Sequence, residues 1–332
     1  TSSEISATSW SDLDRAGTPT ITTIAAFRSA CRLNASMYSL DDVKKALSHP
    51  IFLVRELNIL YHTRLRRWEY NRDGVSIFEE DWDNLVLLDA CRYDAFAEHV
   101  DREGRLESRE SRGGTSSEWV RGNFTDVQHH DTVYVTGNGW YFKLRDQIKS
   151  ELHAEVDVGH DGIDPTPVTE AALSAAEEYP NKRLIVHYMH PHYPYVGEVS
   201  KTNLGGWDLQ THGMIGDIQR REVSVPDDLM RQAYVETLNR VLEEVGTLLD
   251  HFEGKTVVSA DHGEMLGDRC FPIPIKDYAH HRGLYVDELV EVPWFVHETG
   301  ERKSVASQPP EERAEPDMDA VDERLRQLGY RL

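Results

Sequence analysis

The sequence predicts an α/β fold, a mostly parallel central sheet with helices on both faces. Three observations carry this. Short apolar runs alternate with stretches of helical periodicity from about residue 83 to 299. Two runs, Asn84–Asp89 and Lys255–Ala260, end on chemistry: the first in Asp89, the second in Asp261-His262-Gly263-Glu264. Open α/β sheets build their sites at the carboxyl ends of strands. Finally, 227–252 is long and amphipathic, with Tyr234, Leu238, Val241, Leu242, Val245, Leu248 and Leu249 on one face. Such a helix is the cover that a parallel sheet needs.

Taken in order, residues 1–22 are rich in Ser and Thr and are expected to be a flexible N-terminus. Residues 23–80 form a helical extension. Within 40–72, a cap at Ser39 or Asp41 precedes Leu47, Phe52, Leu53, Leu57, Leu60 and Tyr61 at helical spacing. The stretch ends in Arg64, Arg66, Arg67 and Arg72. This cluster either packs on acidic neighbours or meets anionic lipid head groups or a phosphorylated substrate.

The main domain spans 81–299, with strands expected at 84–89, 132–136, 183–189, 255–260 and 292–297. Its expected helices are 93–100, 167–179 and 227–252. Residues 197–226, with Gly205-Gly206 and Pro226, read as a long loop or lid. Residues 300–332 are a linker rich in Pro, Glu and Ser, then a short helix from Asp319 stopped by Gly329.

Composition narrows the partners. The 332 residues carry 58 acidic and 36 basic side chains, a net charge of -22. That charge repels nucleic acid and matches the acidic coat of a halophilic protein. Cys31, Cys91 and Cys270 form no disulfide framework and no zinc-knuckle spacing. No apolar run approaches the ~20 residues of a membrane span, and no signal-peptide pattern is present. The expectation is a cytoplasmic protein, at most peripheral to a membrane; the sequence is silent on oligomeric state.

Three further segments could carry chemistry. In Arg112-Gly-Gly-Thr-Ser-Ser-Glu-Trp119 a tight glycine turn precedes a helix start. A hydroxyl there sits among backbone N–H groups at the positive dipole end, though taken alone it reads as an ordinary N-cap. In Val186-His-Tyr-Met-His-Pro-His-Tyr-Pro-Tyr195, His187, His190 and His192 lie at a strand end, and His190 and His192 share a face if the chain stays extended. His280-His281-Arg282 follows the Asp-His-Gly segment and is weak evidence alone.

Together, in this order, these segments resemble the alkaline phosphatase/sulfatase superfamily. The carriers are Leu87-Leu-Asp-Ala-Cys-Arg-Tyr-Asp94, Ser259-Ala-Asp-His-Gly-Glu264 and His281-Arg-Gly-Leu-Tyr-Val-Asp-Glu-Leu-Val-Glu-Val-Pro293. The resemblance covers residues 83–299 and implies an alkaline-phosphatase-like three-layer sandwich. Gly114-Thr-Ser-Ser-Glu-Trp119 and His192-Tyr-Pro-Tyr195 are similar to segments of its phosphoglycerol transferases of the lipoteichoic acid synthase type. The Cys/Ser-x-Pro-x-Arg motif of sulfatases is absent. Those transferases usually carry Glu where this chain has Asp89, and they have membrane spans.

Carried over by residue, the resemblance implies Thr115 as nucleophile. Asp89, Thr115, Asp261 and His262 would hold a divalent metal, with His192, His281 and His190 at the substrate. The implied ion is Mn²⁺ or Zn²⁺ before Mg²⁺, one ion before two. The implied reaction is phosphoester hydrolysis or phosphoryl or phosphoglycerol transfer through a phospho-threonine, on a substrate that could be lipid- or glycan-linked. The alternatives are sulfate-ester hydrolysis and a non-catalytic binding member of the fold.

Overall fold

Strand β1 (Asn84–Asp89) is buried along its whole length and runs through the middle of a seven-stranded sheet. The other strands are β2 (Arg105–Glu110), β3 (Gln128–Thr136), β4 (Glu151–Asp157), β5 (Arg183–Pro191), β6 (Gly254–Ala260) and β9 (Glu291–Thr299), in the order β2-β9-β6-β1-β5-β3-β4. β1 pairs in parallel with β5 and β6, and β3 with β4 and β5. β9 is antiparallel to both β6 and β2, so among the described strands of this sheet it alone runs against the rest. A separate ribbon pairs β7 (Met265–Arg269) with β8 (Lys276–Ala279) in antiparallel fashion.

This computed structural model describes residues 50–64, 68–159, 164–205, 214–312 and 316–328. Expectations for residues 1–49, Arg66 and Arg67 fall outside them. The chain divides into two units between Asn58 and Ile59. The helix Pro50–His62 begins in the first unit.

Period-two alternation separates two cores. Val86 and Leu88 of β1, Val133 and Val135 of β3, and Val258 of β6 face one side. Leu85, Leu87, Tyr134 and Val257 face the other. Helices Tyr93–His99, Thr166–Glu178 and Asp227–His251 cover the first face through Phe96, Val168, Ala172, Leu238 and Leu248. Helices Ser116–Phe124, Trp140–Ile148 and Met318–Gln327 cover the second through Trp119, Tyr141, Val321 and Leu325. The result is the three-layer α/β sandwich that the sequence implied.

Several elements differ from the sequence reading. β2, Arg-Leu-Glu-Ser-Arg-Glu, is an edge strand paired only with β9, and its polar composition hides it. β4 is the opposite edge. The segment read as one loop or lid holds two short helices, Glu198–Asn203 and Met214–Gln219. The segment read as a linker is tied down where it is described. Ala306, Gln308 and Glu311 donate backbone N–H groups to the carbonyls of Asn181, His130 and His153.

One contact fixes the turn that follows β1. Ala90 takes a left-handed φ of 61°, unusual without glycine. The buried Tyr234 hydroxyl donates to the Ala90 carbonyl at 2.9 Å and accepts from the Arg92 N–H at 2.9 Å. Tyr234→Phe would leave both backbone groups buried without that partner. The expected loss is about 1–3 kcal/mol of unfolding free energy, read as a lower urea midpoint. An unchanged midpoint would show that the clamp contributes nothing.

Candidate metal centre

The sheet brings distant residues to one point. Asp89 is the last residue of β1, Asp261 follows the last residue of β6, and His187 lies in β5 opposite Leu87. All three are fully buried, and their donor atoms lie within 4.8 Å of one another. His262 joins them: its Nε2 stands 3.6 Å from Asp89 Oδ1 and 3.6 Å from Asp261 Oδ2. His187 Nε2 also stands 3.6 Å from Asp261 Oδ2.

The surrounding bonds orient each group. Asp261 Oδ1 accepts from the N–H groups of Ala90 (3.1 Å) and His262 (2.8 Å), which turns Oδ2 inward. Asp89 Oδ2 accepts from Asn138 Nδ2 (2.8 Å) and Ser116 Oγ (3.2 Å), which turns Oδ1 inward. His262 Nδ1 lies 2.8 Å from the Gly263 carbonyl, which can only accept. Nδ1 therefore carries the proton, and a neutral ring presents the Nε2 lone pair to two carboxylates. His187 Nδ1 bonds the Tyr134 hydroxyl at 2.8 Å, leaving its Nε2 aimed at the same point.

Asp89 Oδ1, Asp261 Oδ2 and His187 Nε2 are buried without a hydrogen-bond partner. Buried polar atoms facing one another without a hydrogen-bond partner are costly unless a cation lies between them. A tetrahedral shell at ~2.0–2.1 Å has donors about 3.3 Å apart, so the three separations of 3.6 Å need a contraction of only tenths of an ångström. Two carboxylates and two imidazoles suit zinc or manganese. The residues therefore fit a divalent ion. Electrostatics agree: burial and the neighbouring Asp261 push the Asp89 carboxyl well above its usual range. Despite burial, the His262 and His187 imidazoles hold Asp261 below its own.

The helix Ser116–Phe124 starts at this cluster. Thr115 is its N-cap, and its Oγ1 accepts from the Glu118 N–H at 3.4 Å and lies 3.1 Å from Ser117 Oγ. The neighbouring Ser116 Oγ is the hydroxyl seated on the cluster, 3.2 Å from both Asp89 Oδ2 and His262 Nε2. A Cβ on Gly114 would stand 2.7 Å from the Leu284 carbonyl, so only glycine lets the 281–284 loop close over the helix start. Glu118 locks that closure. It accepts from the N–H groups of Gly114 and Gly283 and from the Tyr285 hydroxyl, and burial pushes its carboxyl up to about 7.

A second group of side chains stands beside His262. The His280 ring lies 4.4 Å from the His262 ring and 5.0 Å from the His192 ring, centroid to centroid. Its Nδ1 lies 3.1 Å from Glu264 Oε2. Burial pushes Glu264 up to about 8 and His280 down to about 4, while burial and the His280 and His262 rings hold His192 well below its usual value. His281 Nε2 pairs with Asp277 Oδ1 at 3.3 Å. His190 is buried one residue after Met189 and ahead of a cis Pro191.

Of the residues singled out from sequence, Asp89, Asp261 and His262 meet directly. Thr115 stands one residue from that meeting point, and His192 reaches it through the His280 ring. Sequence reasoning placed His187 at a strand end but left it out of the implied ligand set; it named Ser116, Glu264 and His280 within its motifs without giving them a role, and it passed over Asn138. Strand register was the missing signal for His187: its place opposite Leu87 puts it two residues from Asp89.

No protein-family model matches the chain, and no curated protein does. Solved structures do. The soluble domain of lipooligosaccharide phosphoethanolamine transferase A from Neisseria meningitidis is 13% identical over 67% of this chain and 76% of its own, with a TM-score of 0.43. The periplasmic domain of Escherichia coli EptC, in complex with zinc, is 12% identical over 68% and 76%, with a TM-score of 0.41. A 2-O GAG sulfatase is 13% identical over 76% and 72%, with a TM-score of 0.41.

Chelator-stripped protein is expected to bind Mn²⁺ or Zn²⁺ in calorimetric titration. Asp261→Asn and His187→Ala should each weaken that binding by at least ~10-fold, because even outer partners of ligands commonly contribute that much. Undiminished affinity in Asp261→Asn would remove the ion from this site.

Proposed function

We propose that this chain cleaves a phosphoester through a covalent phospho-threonine and passes the phosphoryl group to water or to an acceptor hydroxyl. The observation that carries the reading is the convergence of Asp89, Asp261, His262 and His187 at the N-terminus of the helix capped by Thr115. An ion held by these groups would supply positive charge, lowering the pKa of a nearby hydroxyl and offsetting charge on phosphoryl oxygens.

Two hydroxyls compete for the nucleophile's role, and exposure separates them. Ser116 is 0% exposed and already committed to Asp89 and His262, so we assign it to holding the ligands. Thr115 is 7% exposed, and its 3.4 Å bond to the Glu118 N–H is long enough to give up cheaply. Rotated toward phosphorus, Thr115 Oγ1 gives up its proton to solvent and forms the new O–P bond in line, as the ester oxygen departs with the bonding pair and takes a proton from solvent. The first-turn N–H groups and the helix dipole bind the phosphoryl oxygens. Burial keeps His192 and His280 neutral, so they serve as N–H donors to those oxygens.

Cysteine chemistry finds no support here. Cys91, beside the cluster in sequence, is fully buried, and burial raises its thiol pKa.

Thr115→Ala should lower turnover of an activated phosphoester by more than the ~10²–10³ of losing one electrostatic contributor, since it removes the covalent route. Ser116→Ala should cost less, ~10–100-fold, by loosening Asp89. Quenched wild-type reactions should show phosphate on the Gly113–Arg121 peptide at Thr115. Wild-type turnover in Thr115→Ala, or turnover of sulfate esters alone, would overturn the assignment.

A further inference from the structure

We infer that Glu118 is a positioning residue that holds the nucleophile's turn and the 281–285 loop at a fixed separation. The inference rests on the proposed phosphoryl chemistry, in which Thr115 attacks and His281 meets the substrate. Glu118 is fully buried, and its carboxylate accepts from three neutral donors. Oε2 takes the Gly114 N–H at 3.1 Å. Oε1 takes the Gly283 N–H at 3.1 Å and the Tyr285 hydroxyl at 2.9 Å. Arg282, which is exposed, acts on it only through space. A buried carboxylate held by neutral donors costs more to keep than an apolar side chain of the same size. What it joins is therefore the reason to look for.

The local explanation is a helix cap, and the geometry goes beyond it. Thr115 is the N-cap and Glu118 stands three residues on, the spacing of a capping box. In that motif the carboxylate takes the N–H of the N-cap itself. Here it takes the Gly114 N–H, one residue earlier, while the Glu118 backbone N–H stands 3.4 Å from Thr115 Oγ1. Glu118 thus brackets Thr115 from both sides. Its other oxygen leaves the helix altogether for residues 165 and 167 positions away.

Those residues belong to the turn that carries His281, whose carbonyl accepts from the Leu284 N–H at 3.1 Å. The turn has little slack. A Cβ on Gly283 would stand 2.9 Å from Ile59 Cγ2, and one on Gly114 would stand 2.7 Å from the Leu284 carbonyl. Both oxygens of Glu118 belong to one planar group, so a shift of either segment is passed to the other. The gap that a phosphoryl group enters between Thr115 and His281 is set by that coupling. A misplacement of about 1 Å in such a gap can cost ~100-fold in rate.

The test is Glu118→Gln in the metal-loaded enzyme, with Tyr285→Phe beside it. The amide keeps the size and one acceptor oxygen. Two donors wait at the Oε1 side and one at the other, so the oxygen stays on Gly283 and Tyr285 while the NH₂ meets the Gly114 N–H, donor against donor. Turnover of a soluble phosphoester, counted per metal-bound site, should fall ~10–100-fold in kcat with little change in KM. Tyr285→Phe loosens only the loop end and should raise KM more than it lowers kcat. Calorimetric metal affinity should stay at the wild-type value in both. Hydrogen exchange reads the coupling without chemistry: in Glu118→Gln, the Gly114 N–H should exchange roughly tenfold faster, the scale of one hydrogen bond, while Gly283 stays protected. Wild-type kcat in Glu118→Gln would overturn the inference, as would a kcat loss matched by weakened metal binding, which marks a structural defect. If wild-type protein turns over no phosphoester, the catalytic reading fails, and exchange at Gly114 decides the coupling alone: unchanged exchange there overturns it.

Discussion

Two fully buried carboxylates at the ends of neighbouring parallel strands are the constraint on which the rest of this structure turns. Asp89 and Asp261 cannot both ionise in an apolar interior without help. The fold surrounds them with donors instead of moving them apart. Asn138 and Ser116 donate to Asp89, and the Ala90 and His262 N–H groups donate to Asp261. Each donor takes the outer oxygen and leaves the inner one bare. That division of labour makes a ligand set out of what would otherwise be a destabilising pair.

The same constraint explains local features that look odd in isolation. Ala90 adopts a left-handed backbone because its N–H must reach Asp261 while its carbonyl reaches Tyr234. Ser111 Oγ donates to the Asp261 carbonyl and accepts from the Gly113 N–H at 3.1 Å, tying the β6 end to the glycine turn. Glu118 carries the link onward to Gly283 and Tyr285. A single chain of hydrogen bonds thus runs from the strand ends, through the helix start, to the loop that bears His280 and His281.

Legibility in the sequence followed the physics of each element. β1 and β6 were readable because buried parallel strands are unbroken apolar runs. Asp89, Asp261 and His262 were readable because they end those runs. β2 escaped because an edge strand half in solvent needs no apolar pattern, and Arg109 instead pairs with Glu80 and Glu107. His187 escaped as a ligand because its role depends on register with β1, which no local pattern encodes. Ser116 escaped because neighbouring hydroxyls at a helix start point in different directions, and composition cannot say which one faces the sheet.

The charge inventory bears on how many ions the site would hold. The first cluster brings two carboxylates, enough to balance a dication. The second, Glu264 with His280 and His192, brings one carboxyl that burial pushes up to about 8 and rings that burial keeps neutral. A second dication there would face a single negative charge beside an already positive first site, and mutual repulsion at such range is large in a buried setting. Neutral imidazoles backed by a protonated carboxyl are better matched to a doubly charged phosphoryl group, which they can donate to without competing for the ion. Under the proposed function, Glu264 and His280 would form the receiving side of the site and Asp89 and Asp261 its cation-holding side, with His262 standing between them.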